Sequence, residues 1–292
     1  MYKLLITLFL SALLPVAGMR AQQLPVFSID YNSSTLKNDS VKGALKGLQA
    51  SLNIPLIHSS GNTFGTRIQY QSARFSGLTS RLNEQLSGLD LHVFLQRKWD
   101  EKHQLYLFAQ VGAYSDFKDL DTKDFRFLLG ARYLVKHSDK LSTGWGLAYA
   151  RQFFGHQINP FIAINYAFTP RLKLSGLLPI RPVLTYEIND RISWVNEING
   201  NVESYRLSAS VHNNAFIQYS GWKVKSTCRY LVGKHHRFSA GLGFSRQSTA
   251  FFNDDAQNNW KIFTINLSQK NAPVETLKTK GLLFSLGYDF VL

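Results

Sequence analysis

Residues 105–113, LYLFAQVGA, and 125–135, FRFLLGARYLV, decide how the rest of the chain reads. In the first, Leu105, Leu107, Ala109, Val111 and Ala113 alternate with Tyr106, Phe108, Gln110 and Gly112. In the second, Phe125, Phe127, Leu129, Ala131, Tyr133 and Val135 alternate with Arg126, Leu128, Gly130 and Arg132. Successive side chains of a strand point to opposite faces, so each stretch is a strand with one apolar face. A soluble sandwich would carry Lys, Glu and Thr on the other face. Here that face holds Gly, Gln, aromatics and single arginines, a set suited to the crowded, wet inside of a closed barrel whose greasy face meets lipid.

The same alternation recurs along the chain. Residues 48–56 place Leu48, Ala50, Leu52, Ile54 and Leu56 on one side, and residues 89–95 do so with Leu89, Leu91, Val93 and Leu95. Residues 238–244 and 282–290 repeat it with Phe238, Ala240, Leu242 and Phe244, then Leu282, Phe284, Leu286, Tyr288 and Phe290. Aromatics gather near strand ends, where interfacial girdles sit: Trp99, Trp145, Tyr149, Tyr166, Phe168, Trp194 and Trp222. Short turns (58–63, 100–103, 136–140, 169–171, 189–191, 233–237) alternate with longer connections (33–43, 74–87, 115–123, 199–213, 251–278). The expected fold is all-β, a closed antiparallel up-and-down transmembrane β-barrel of about 12–14 strands, with 14 the preferred count. The weak point is 171–188, where two short strands meet around Pro179 and Pro182; merging them would give the lower number. Residues 260–267 read either as a further strand or as a hairpin within a loop.

Composition agrees. Charged residues make up 18% of 292, low for a soluble domain, where about 25% is usual, and 13% are aromatic. The lone Cys228 excludes an intrachain disulfide framework and a cysteine zinc cluster. Residues 1–21, MYKLLITLFLSALLPVAGMRA, have a basic start, an apolar run from Leu4 to Val16 and small residues up to Ala21. They read as a secretory signal peptide, too short for a spanning helix. Residues 22–292 are then expected to form one outer-membrane barrel domain, placed in the cell outer membrane. The formal charge of +14 is dispersed without a Lys/Arg run, which argues against nucleic acid. It favours contact with the phosphates of outer-membrane lipid and lipopolysaccharide. The closing strand, GYDFVL, is apolar on one face and is the expected handle for the barrel-assembly machinery.

FRFLLGARYLV, GWGLAYARQF (144–153), the run TPRLKLSGLLPIRPVLTYEINDRISW (169–194) and SYRLS (204–208) resemble a family of uncharacterised outer-membrane β-barrel proteins, a domain of unknown function common in Bacteroidota. That resemblance implies fold and location and carries no catalytic residue.

Candidate chemistry lies in the charges expected to face the lumen: Arg67, Asp90, Arg126, Arg132, Glu187, Glu197, Lys223, Lys225, Arg229 and Asp289. They read either as a mildly anion-favouring passage or as a packed ladder of opposite charges across neighbouring strands. Ser210 and His212 have the i, i+2 spacing of a barrel-wall hydrolase, where a histidine activates a serine. His235 and His236 are adjacent in a turn and in a strand would point to opposite sides, and the loop acids of DTKD (121–124) and NDD (253–255) lack a calcium-loop frame, so no metal and no cofactor is expected. The leading expectation is a non-enzymatic barrel: a narrow passive, porin-like channel, or an envelope-structural or ligand-contacting barrel. A lipid-modifying hydrolase at Ser210/His212 and a secreted soluble β protein are the alternatives. Oligomeric state and solute are open.

Overall fold

The computed structural model describes residues 25–59, 61–79, 81–208, 215–253, 259–263, 265–268 and 272–292. The signal-peptide reading of 1–21, the Ser210/His212 pair and most of NDD fall outside them. The strands are β1 (Pro25–Lys37), β2 (Lys42–Ser59), β3 (Asn62–Ser76), β4 (Gln85–Lys98), β5 (His103–Ser115), β6 (Phe125–Lys136), β7 (Leu141–Gln152) and β8 (Gly155–Ala167). They continue as β9 (Leu172–Leu178), β10 (Arg181–Glu187), β11 (Ile192–Arg206), β12 (Phe216–Val232), β13 (His236–Phe252), β14 (Asn259–Ile262), β15 (Ile265–Asn266) and β16 (Glu275–Val291). Each of β1 to β13 pairs antiparallel with the next, β13 pairs with β16, and β16 returns to β1, so fourteen strands close a barrel without a free sheet. Closure pairs both edges of every strand of the wall, the arrangement that a lipid surrounding would demand.

The two faces separate by residue type. Leu91, Leu107 and Phe127 are about two-fifths exposed on the outer wall, whereas their neighbours Asp90 and Arg126 are buried inside. Gln110 donates inward to the Tyr114 hydroxyl, and the Arg132 guanidinium lies over the Tyr106 ring. Cys228 is exposed on the outer face, beside Trp194 and Ala240.

Inside, small residues make room for large ones. Phe94 lies across Gly65, Phe108 across Gly130, and Phe161 across Gly146, each glycine directly paired with its aromatic. A Cβ on any of these glycines would enter the ring. This is why glycine occupies inward positions on strands that need no unusual backbone there.

The long-loop end, opposite Pro25 and Val291, is filled. Leu36, Leu45, Phe75, Leu82, Leu86, Tyr114, Phe153, Phe154, Tyr205, Leu207, Phe216, Ile217, Phe251 and Phe252 form one buried apolar cluster. Strand ends and loops contribute jointly. The loop after β3 is folded on itself by Asn83, whose amide donates to Leu78 O at 3.0 Å and accepts from Leu78 N at 2.8 Å, and this holds Leu82 in the cluster.

One side of the wall is built differently. β9 and β10 have seven residues each, fewer than the roughly 9–11 a tilted strand needs to cross a bilayer core. They complete only the short-turn half. Above them β8 takes β14 as a parallel partner, Gly155 to Ile158 against Asn259 to Ile262. β11 leaves β10 at Gly200, whose N–H reaches Ile180 O at 2.9 Å, and continues to Arg206, which pairs in parallel with Ser115 of β5. Side chains take up the backbone groups that β10 leaves free: Arg126 donates to Ser204 O at 3.1 Å. The Ser204 hydroxyl in turn accepts from Phe153 N at 3.0 Å.

The preferred count of fourteen holds, and 171–188 is a short hairpin rather than a merged strand. Residues 260–267 fall within the β14–β15 hairpin of the last long loop. The expected boundary at 198 was too early. Residues 199–206, NGNVESYR, look like a loop in sequence because they are small and polar. They remain in unbroken register with β12, since their polar face lines the interior.

Candidate functional site

The charged residues of the interior form three groups, positioned by strand register. The first lies beneath the apolar cluster. Asp90 on β4 accepts from the Tyr114 hydroxyl at 2.6 Å, and its other carboxylate oxygen stands 2.7 Å from His92 Nε2. Arg126 on β6 packs its guanidinium 3.3 Å above the centre of the Tyr114 ring, 5.6 Å from that of Tyr205, and donates to Gln152 Oε1 at 2.8 Å. Gln71 donates to Tyr205 Oη at 2.7 Å and to Glu203 Oε2 at 3.1 Å, tying β3 to the inward end of β11. Lys223 lies 5.7 Å from the Tyr219 ring centre. A cavity of about 110 Å³ opens between Gln49, Gln71, Asn201, Glu203, Tyr219 and Lys223.

The second group is a ladder of opposite charges on β9 to β13 and β16. Lys173 meets Glu187 at 2.9 Å, Arg181 meets Glu197 at 2.7 Å, and Arg237 meets Asp289 at 2.8 Å. Lys225 is paired directly opposite Glu197, and Arg229 stands between Ser193 and Ser239. Complementary charges on facing strands stabilise a sheet face and hold its side chains in place.

The third group is cationic. Arg67 on β3 donates through Nε to Asn53 Oδ1 at 2.7 Å. Arg132 on β6 covers the Tyr106 ring at 4.8 Å, and its buried Nε has no hydrogen-bond partner among the described residues. Neither arginine forms an ion pair with a described carboxylate. Between them lies a cavity of about 190 Å³, lined also by Phe94, Phe108, Phe161 and Leu177.

All ten residues singled out in the sequence stand on the strand face opposite the lipid-type side chains. Register decides which of them meet. Asp90, Arg126 and Lys223 enter the upper network, Glu187, Glu197 and Asp289 the ladder, and Arg67 and Arg132 remain together without an acid. Sequence reading missed the partners in the ladder: Lys173 and Arg181, because short strands broken by prolines hide the phase of β9 and β10, and Arg237, because it fell in the turn read over 233–237. It also missed Glu203 and the buried Arg206–Asp124 pair, 3.1 Å apart, which lay in segments read as loops. The acids of DTKD serve a structural purpose: Asp121 and Asp124 cap one turn of 3-10 helix (Thr122–Asp124) reciprocally. Among the described residues no three His, Cys, Asp or Glu side chains converge on a point.

Among solved structures, the chain is similar to the KdgM porin, with 9% identity and a TM-score of 0.36 over 91% of this chain and 99% of that one. It is similar to the NanC porin at 8% identity and a TM-score of 0.38, covering 90% and 100%. Outer membrane phospholipase A from Escherichia coli matches at 11% identity and a TM-score of 0.31, covering 92% of each chain. No curated protein matches. A family model described as a domain of unknown function, DUF6268, matches residues 21–271.

Proposed function

We propose a function for a chain that belongs to the DUF6268 family: a non-enzymatic outer-membrane barrel that admits small anionic solutes to its interior and restricts their passage at its outer mouth. The supporting observation is the pairing of a closed wall around a charged interior with an apolar plug at the long-loop end. Fixed cations without acidic partners, Arg67 and Arg132, raise the local concentration of anions in a narrow polar space. The plug, built around Leu82, Leu207, Phe216 and Ile217, excludes water from the mouth and makes the passage narrow.

In this reading the long loops face outward and the short turns face the periplasm, as in bacterial outer-membrane barrels. Residues 1–21 direct export, and the strand ending at Leu292 engages the barrel-assembly machinery. Exposed basic residues of the loop end meet the phosphates of lipopolysaccharide.

Planar-bilayer recording under a salt gradient tests this function. The expected result is a small conductance with a reversal potential biased toward anions, enlarged when Leu82 is replaced by aspartate. A bilayer that stays sealed for both proteins, each inserted and folded, would refute the passage.

A further inference from the structure

We propose that the cavity between Arg67 and Arg132 is a binding site for a carboxylate with an aromatic or short apolar body, about the size of benzoate or phenylacetate. This deepens the anion-admitting reading and names the class of solute. The first observation is electrostatic. Two guanidiniums face one space with no carboxylate of the described residues to neutralise them, while Lys173, Arg181 and Arg237 across the barrel are each paired with an acid. The second is a hydrogen-bond vacancy: Arg132 Nε is buried and donates to nothing described. A buried donor without an acceptor is destabilising, and a ligand oxygen would recover that loss. A guanidinium fork matches a carboxylate better than it matches a neutral or point-like partner.

The third observation concerns shape. Phe94, Phe108 and Phe161 are each laid against a glycine of the neighbouring strand, so their rings are held in place before any ligand arrives. Together with Leu177 they supply apolar walls beside the two arginines. A cavity of roughly 150 Å³ suffices for benzene. The space here, about 190 Å³, suits a ring with a carboxylate attached. Besides the arginines the walls offer two polar side chains, His92 and Tyr106, too few for a body rich in hydroxyls, which disfavours acidic sugars. The carboxylate would sit on Arg132 and Arg67, and the ring against Phe108, Phe161 and Leu177.

Titration calorimetry on the protein in lipid nanodiscs tests the site without any conductance. Benzoate and phenylacetate should bind, and acetate, benzyl alcohol and galacturonate should bind at least about tenfold more weakly. Arg132→Gln and Arg67→Gln should each weaken benzoate about tenfold, and Arg132→Lys should recover part of the loss, with folding checked by heat-modifiable mobility on gels. Benzyl alcohol binding as well as benzoate would overturn the role of the arginines, and galacturonate binding as well would overturn the apolar body. Absence of benzoate binding to the wild-type barrel would overturn the site while leaving the passage reading to its own electrical test.

Discussion

The ring of Phe108 rests on Gly130, its directly paired neighbour on the next strand, with no space for a Cβ between them. The contact joins sequence to function, because the same ring walls the cavity that holds Arg67 and Arg132. Gly130→Val would force Phe108 off the sheet and into that cavity. Overpacking of this kind costs about 1–3 kcal/mol. Urea unfolding from lipid vesicles should show that loss, and cavity ligands should bind more weakly. Unchanged stability and unchanged binding would mean that the ring has somewhere else to go.

Arg206 and Asp124 are both almost fully buried, 3.1 Å apart. Removing one charge of such a pair strands the other, at about 3–5 kcal/mol. Arg206→Met should therefore lower the unfolding midpoint clearly, and adding Asp124→Asn should recover part of the loss. Burial already pushes the Asp124 carboxyl above its ordinary value, against the opposing effects of the Asp121 backbone N–H and Arg206. An acid whose value is raised by folding costs stability as pH rises through that value. The penalty in Arg206→Met should accordingly shrink on acidification, as Asp124 takes up a proton, and a pH series of unfolding curves measures it.

Lys261 belongs to the β14–β15 hairpin of the last long loop. Its ammonium donates to Gln218 Oε1 at 2.6 Å and lies 4.2 Å from the centre of the Phe154 ring. Burial pulls its amine down to about 8 from an ordinary 10.5. Between those two values the unfolded chain binds the proton and the folded one does not, so this group's contribution to stability becomes more favourable as pH rises across the window. After reductive methylation with ¹³C, the Lys261 resonance should titrate near 8, well below those of the exposed lysines. Lys261→Met should stabilise the hairpin below that pH and lose its advantage above 10.5.

Leu82 is fully buried at the centre of the plug although it lies in a loop. Leu82→Ala should cost about 2–5 kcal/mol if the plug packs as a true core. It should also speed protease cleavage of the loop after β3. A loss under half a kcal/mol, with unaltered proteolysis, would show the plug to be loose.

Outward and inward neighbours should respond in opposite ways to the same charge. Leu129→Arg, on the lipid face, should cost about 2–4 kcal/mol if it sits near the bilayer midplane. Gln110→Arg, facing the wet interior, should cost less, and unfolding from vesicles compares the two. Equal losses would contradict the assignment of faces.

The two faces of this barrel were legible in the chain because alternation is local: each strand declares its greasy side within a few residues, as Leu107 and Phe127 do against Gln110 and Arg126. The strand number followed from the alternation of turns, even where Pro179 and Pro182 interrupt the pattern. Glycines such as Gly130 were readable as inward residues, but not as seats for particular rings, because each seat lies on another strand.

What the fold alone decided depends on register around a closed ring, a sum of offsets that no single segment contains. That sum brings Arg181 to Glu197 and Arg237 to Asp289 while leaving Arg67 and Arg132 without an acid. It also carries β11 past the short β9–β10 hairpin to meet β5, and turns polar residues that read as a loop into interior wall. Sequence determines where each side chain points, since that is a property of neighbouring peptide units; closure determines which of those side chains meet, since that is a property of the whole ring.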